Sequence, residues 1–158
     1  CVIKRYGQLM QNVSLQLHIP MLKLKIDTGN NTVYQCKWVD NLGAALIKSA
    51  ELSIGGHVIQ KVTGEWLYTH NKLYQTIKEQ NATTNMSSVS TVNANLTITS
   101  GVSNVITSNE TFIYVDIPFH SSNSNLALPL IALQYAIVEV RLILRPLSEV
   151  LLFRKRPI

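Results

Sequence analysis

The sequence predicts an all-β protein, a sandwich or jelly roll with one short helix and a long polar loop. Three observations carry that expectation. Short runs alternate apolar and polar residues with the period of two that a half-buried strand requires; Gly and Pro punctuate those runs; and a single stretch shows helical spacing. Composition agrees. Hydrophobic residues make up 46% and charged residues only 15%, so Ser, Thr, Asn and Gln must supply the remaining polarity, as in a globular β protein with an uncharged surface.

Asn12 to Ile19 places Val13, Leu15, Leu17 and Ile19 on one face, and Pro20 closes the run. Leu22, Leu24 and Ile26 alternate with Lys23, Lys25 and Asp27 in a second candidate strand, followed by a turn at Gly29-Asn30-Asn31. Thr32 to Val39, with Val33, Tyr34, Cys36 and Trp38, has the β-branched and aromatic enrichment of a third. Asp40 to Gly43 punctuates it, and Ala45 to Ile54 is a long apolar strand. Gly55-Gly56 separates that strand from one resuming at His57; this marks a tight hairpin, because a primed turn needs positive φ, which Gly adopts without steric cost.

Trp66, His70, Leu73, Tyr74 and Ile77 recur at spacings of three and four, predicting a helix over Gly64 to Lys78 that lies across one end of a sheet with Trp66 buried. Asn81 to Asn109 carries no charge and reads as a long polar loop or flat hairpin. Thr111 to Ile117 is a strand closed by Pro118. Leu126 to Tyr135 reads as core strand leading into Ile137 to Leu144, where Val138, Val140, Leu142 and Leu144 alternate with Glu139, Arg141 and Ile143.

At 158 residues the chain suits one domain, able to bury roughly 68–70% of its unfolded surface without staples. The net charge of +5 is dispersed. Its densest cluster, Arg154-Lys155-Arg156, reads as a solvated end, so nucleic acid is not an expected partner. Cys1 and Cys36 read as two free thiols in a reducing compartment. The longest apolar stretch, Leu126 to Leu144, is interrupted by Pro129, Gln134, Glu139 and Arg141, so no membrane insertion is expected. No secretory signal pattern stands at the start of the sequence, which opens on Cys1.

Chemistry has no starting residue. His18, His57, His70 and His120 fall one per element, with no pair at the spacing of a metal site. The acidic residues are isolated, so spacing offers no paired-carboxylate site. Gly55, Gly56 and Gly64 form no phosphate loop, and neither cysteine stands in a nucleophile motif. No catalytic residue, metal or cofactor is expected, and the chain does not read as an enzyme. Six glycosylation sequons begin at Asn12, Asn30, Asn81, Asn85, Asn95 and Asn109; in a secreted protein they would mark glycan sites on loops, but in a chain so rich in Asn, Ser and Thr several are expected by chance.

Three segments are specific. Ala50-Glu-Leu-Ser-Ile-Gly-Gly-His-Val-Ile59, followed by Gly64-Glu65-Trp66-Leu67, resembles the "ELEIGGQxID…GDWL" segment of the major capsid proteins of nucleocytoplasmic large DNA viruses. Upstream, Trp38-Val-Asp-Asn-Leu-Gly43 resembles their "WVxNLG". Downstream, Leu126-Ala-Leu-Pro-Leu-Ile-Ala-Leu-Gln-Tyr135 is similar to "LALPLIALQYHEV", with Ala136-Ile137 in place of the His-Glu pair. Arg5 to Leu9 stands where the family has "R-x-GDL", with Gln8 replacing its Asp.

The resemblance covers nearly the whole chain and implies a jelly roll over residues 1–158, matching the first barrel of a two-barrel subunit. It implies a structural role, with homotrimers forming pseudo-hexagonal capsomers of an icosahedral shell, in contact with neighbouring capsomers and minor capsid proteins. Localisation would be the virion, after assembly in the host cytoplasm. Its structural signature maps onto Trp38, Gly43, Gly55, Gly56, Gly64, Trp66, Leu67, Leu128, Pro129, Gln134 and Tyr135, read as fold-making positions, and onto an outward or intersubunit loop at Thr83 to Ser108. Rival readings stay open: a single-barrel minor capsid or penton protein of the same kind of virus, a secreted carbohydrate-binding sandwich and, last, a cupin-type enzyme.

Overall fold

In the computed structural model, residues 1–4, 6–25, 32–89, 95–98, 105–107 and 109–157 are described. Strands β1 (Leu9–Met10), β2 (Val13–Ile19), β3 (Lys23–Lys25) and β4 (Thr32–Trp38) lead to helix α1 (Leu42–Leu46). The β5 (Ile47–Ile54) and β6 (His57–Thr63) hairpin follows, then helices α2 (Gly64–Tyr74) and α3 (Ile77–Ser87). Strands β7 (Asn95–Ile98), β8 (Val105–Thr107) and β9 (Thr111–Ile117) precede two 3₁₀ turns. The chain continues through β10 (Leu128–Pro129), β11 (Val138–Leu144), helix α4 (Leu147–Val150) and β12 (Leu151–Pro157).

Among the described residues every strand pairing is antiparallel. The sheets run β11-β5-β6 and β12-β4-β7, with two-stranded pairs β2-β9, β3-β8 and β1-β10. The strands of β2 and β9 obey the expected period: Val13, Leu15, Leu17 and Ile19 face inward, opposite the buried Ile113, Val115 and Ile117, while Phe112, Tyr114 and Asp116 face out. A one-residue slip would expose this whole set, so burial fixes the register.

One core lies between the β2-β9 pair and the β11-β5-β6 sheet, built from Ile47, Leu52, Val62, Ile117, Val138 and Val140 with their neighbours. A second gathers Ile19, Trp38, Leu42, Val89, Ile113 and Val150. On the sheet, Glu51 sits opposite Lys61 on one side and Arg141 on the other, at 2.9 and 3.9 Å, so register alone assembles a cross-strand charge group.

The β5-β6 turn has Gly55 at φ 57° and Gly56 at φ 85°, the left-handed geometry of a primed hairpin turn. A Cβ at Gly56 would meet nothing within 4 Å and one at Gly55 only Ala136 Cβ at 3.9 Å, an ordinary contact, so backbone conformation and not crowding sets the requirement. Replacing both with Val is expected to cost about 1–2 kcal/mol at each position and to lower soluble yield. Undiminished stability of the double variant in a denaturant titration would refute the conformational argument.

Several sequence expectations need correcting. The helix expected over Gly64 to Lys78 is two helices, broken at Gln75-Thr76. There Thr76 Oγ1 accepts from the Glu79 backbone N–H, while the Thr76 N–H donates to Glu79 Oε2 at 2.8 Å. This capping box restarts the chain as α3, which carries Asn81 to Ser87 in helix where a polar loop was expected. Sequon residues Asn81 and Asn85 therefore lie exposed on a helix.

Residues 42–46, expected as turn and strand, form α1, entered through Asn41 at φ 53°, a conformation Asn tolerates better than most residues. Leu126 to Tyr135, expected as core strand, contains only the two-residue β10 and a series of turns. The basic end is no loose tail, since Arg154, Lys155 and Arg156 lie in β12 opposite Gln35, Tyr34 and Val33. The turn expected at residues 29–31 and most of residues 88–108 lie outside the described residues, apart from 88–89, β7 and β8. The expected β fold holds, with several short helices among the described residues where one was expected.

Candidate functional site

Four of the sequence-marked positions, Gly43, Gly64, Trp66 and Leu67, gather where α1 meets α2, while Gly55 and Gly56 stand at the β5-β6 turn and Leu128, Pro129, Gln134 and Tyr135 on and after β10. Trp38, at the end of β4, is buried in the second core. Gly43 lies in α1 against β9 and the end of α3; a Cβ there would come within 2.6 Å of Val115 Cγ2 and 2.9 Å of Ser87 Cβ. Ser87 Oγ donates to Asn41 Oδ1 at 2.9 Å, which ties the end of α3 to the start of α1. Gly64 is tighter still, because a Cβ would run into the carbonyl oxygens of Ala44 and Ile47. Thr63 caps α2 by accepting from the Trp66 N–H, and Leu67, one turn on, is buried in the first core.

Trp66 is a correction, being 44% exposed instead of buried. Adjacent helical residues differ by about 100° in direction; with Gly64 and Leu67 inward, Trp66, Leu73 and Tyr74 of α2 are exposed, His70 is half-buried, and Ile77 lies beyond the break, exposed in α3. Leu128 and Pro129 form β10 opposite Met10 and Leu9. Gln134 and Tyr135 stand on the exposed turn after it, Tyr135 at 99% exposure. Tyr135 thus contributes little packing within the chain, whereas Trp66 is partly covered and lies beside His70.

The outward face of α2 borders a groove of about 610 Å³ whose other wall is Pro118, Phe119, His120 and Leu126, with Gln60 to Val62 of β6 between. Two histidines that the sequence places 50 residues apart, His70 and His120, both line it. The His70 ring lies 5.9 Å from Trp66 and 4.9 Å from Tyr74, and its Nδ1 is closed off from solvent without a hydrogen-bond partner. The His120 N–H donates to Gln60 Oε1 at 2.8 Å, fixing that wall to β6. Nothing in residue spacing signalled this groove, because its walls meet only through tertiary packing.

A smaller cavity of about 440 Å³ lies behind α2, lined in part by Asn41, Ala44, Gly64, Tyr68 and Arg145. Arg145 is paired with both Glu65 and Glu149, the latter at 3.4 Å. Hydrogen bonds from its own backbone N–H and then from Arg145 hold the Glu65 carboxyl below the usual range. Both of its anionic partners being on the same chain, Arg145 reads as a clamp joining the end of β11 to α2 and α4. Among the described residues no group of three or more His, Cys, Asp or Glu is placed to hold a metal, and no helix is long and apolar enough to cross a membrane.

Comparison with known proteins places this architecture. The family described as major capsid protein, N-terminus, matches residues 1–156. The chain belongs to that major capsid protein family. Its relatives include the major capsid protein of Phaeocystis pouchetii virus, 32% identical across 96% of this chain and 32% of that protein. Capsid protein 1 of Acanthamoeba polyphaga mimivirus is 30% identical across 87% and 24%. The major capsid protein of Pyramimonas orientalis virus is 36% identical across 90% and 32%. The chain spans about a third or less of these relatives.

The crystal structure of PBCV-1 VP54, fitted into a reconstruction of the virophage Sputnik, aligns with a TM-score of 0.56 at 20% identity. That alignment covers 94% of this chain and 38% of the other, and shows the jelly-roll fold of the major capsid protein. In this chain the corner at Gly43, Gly64 and Leu67 is closely packed, while Trp66, Leu73 and Tyr74 on α2 are exposed.

Proposed function

We propose that the protein is a structural subunit of the shell of a large DNA virus and acts by packing against copies of itself. The observation that carries this is the family match over residues 1–156. Support comes from the surface. Large apolar side chains on α2 and on the 130–135 turn are exposed, and contiguous exposed apolar surface marks interaction sites more often than solvated ones.

At a finer level, the subunits associate as homotrimers that form pseudo-hexagonal capsomers and tile an icosahedral shell, meeting neighbouring capsomers and minor capsid proteins. Assembly takes place in the host cytoplasm; the free Cys1 and Cys36 support a reducing compartment. Burial raises the Cys36 thiol pKa, leaving that group protonated and unreactive. The function requires no catalytic group or cofactor.

Cryo-electron microscopy of virions tests the reading. Density for this chain is expected to repeat as trimers in a hexagonal lattice. Density confined to the fivefold vertices would overturn it in favour of a penton protein, and absence from the shell would remove both.

A further inference from the structure

We draw no further inference here: the strongest candidate, the groove beside α2 bordered by Trp66, His70, Tyr74 and His120, is an unpartnered face of a chain that spans about a third of its relatives, and nothing among the described residues shows what covers it.

Discussion

Leu67→Ala is expected to destabilise the protein by about 2–5 kcal/mol, the range for removing a large aliphatic side chain from a packed core. Leu67 is 1% exposed and packs in the cluster with Ala44, Ile47 and Val62, where α2 meets α1 and the β5-β6 hairpin. Those neighbours belong to a helix and two paired strands and cannot close over the space. Since domains of this kind have total stabilities of roughly 5–15 kcal/mol, much of the protein would be unfolded at modest denaturant. The adjacent Trp66→Ala is expected to cost under about 1 kcal/mol, because the side chain is 44% exposed and supports no core. Guanidinium titrations of both variants check the pair: a larger loss at Trp66 than at Leu67 would mean that the inward face of α2 has been assigned to the wrong side.

Gly64→Ala is the second large effect, and its sign separates two arguments. Helix propensity alone predicts stabilisation, Ala being better than Gly by up to about 1 kcal/mol. Packing predicts the reverse, since the added methyl would meet the backbone oxygens of Ala44 and Ile47. Side chains can rotate away from such a contact, but these carbonyls are fixed at the junction of α1 and β5. We expect a loss at or above the ~1–3 kcal/mol typical of overpacking. Gly43→Ala, which meets the side chains of Val115 and Ser87, should lose less. A neutral Gly64→Ala in a denaturant titration with unchanged m-value would show that the corner opens at little cost.

Periodicity made much of the fold legible. The inward faces of β2 and β9 and the Gly55-Gly56 hairpin follow from local rules, because alternation and positive φ are properties of a few consecutive residues. The capping box at Thr76 and Glu79 was also legible and would have revealed α3 inside a stretch whose composition suggested loop. Composition misled there because Asn, Ser and Thr are weak but not forbidden in helices, and a good cap offsets part of that preference. The strand at Arg154 to Arg156 was hidden for another reason. Its partner, β4, lies more than a hundred residues upstream, and basic residues at the end of a chain carry no local mark of pairing.

What the sequence determined by itself is that strands of period two and one Gly-Gly hairpin build a β fold, and that three motifs align it with a capsid family, because these are written in short runs. What only the tertiary structure decided is which way each surface points. Trp66, Leu73 and Tyr74 do recur with a helical period in α2 but are exposed, because the helix is pinned where Gly64 touches the α1-β5 backbone. Rotation about a helix axis is set by its closest contact with the rest of the protein, and that contact is made with residues distant in sequence. The same holds for the groove, whose walls from residues 60–74 and 118–126 acquire a common space only when the sheets pack.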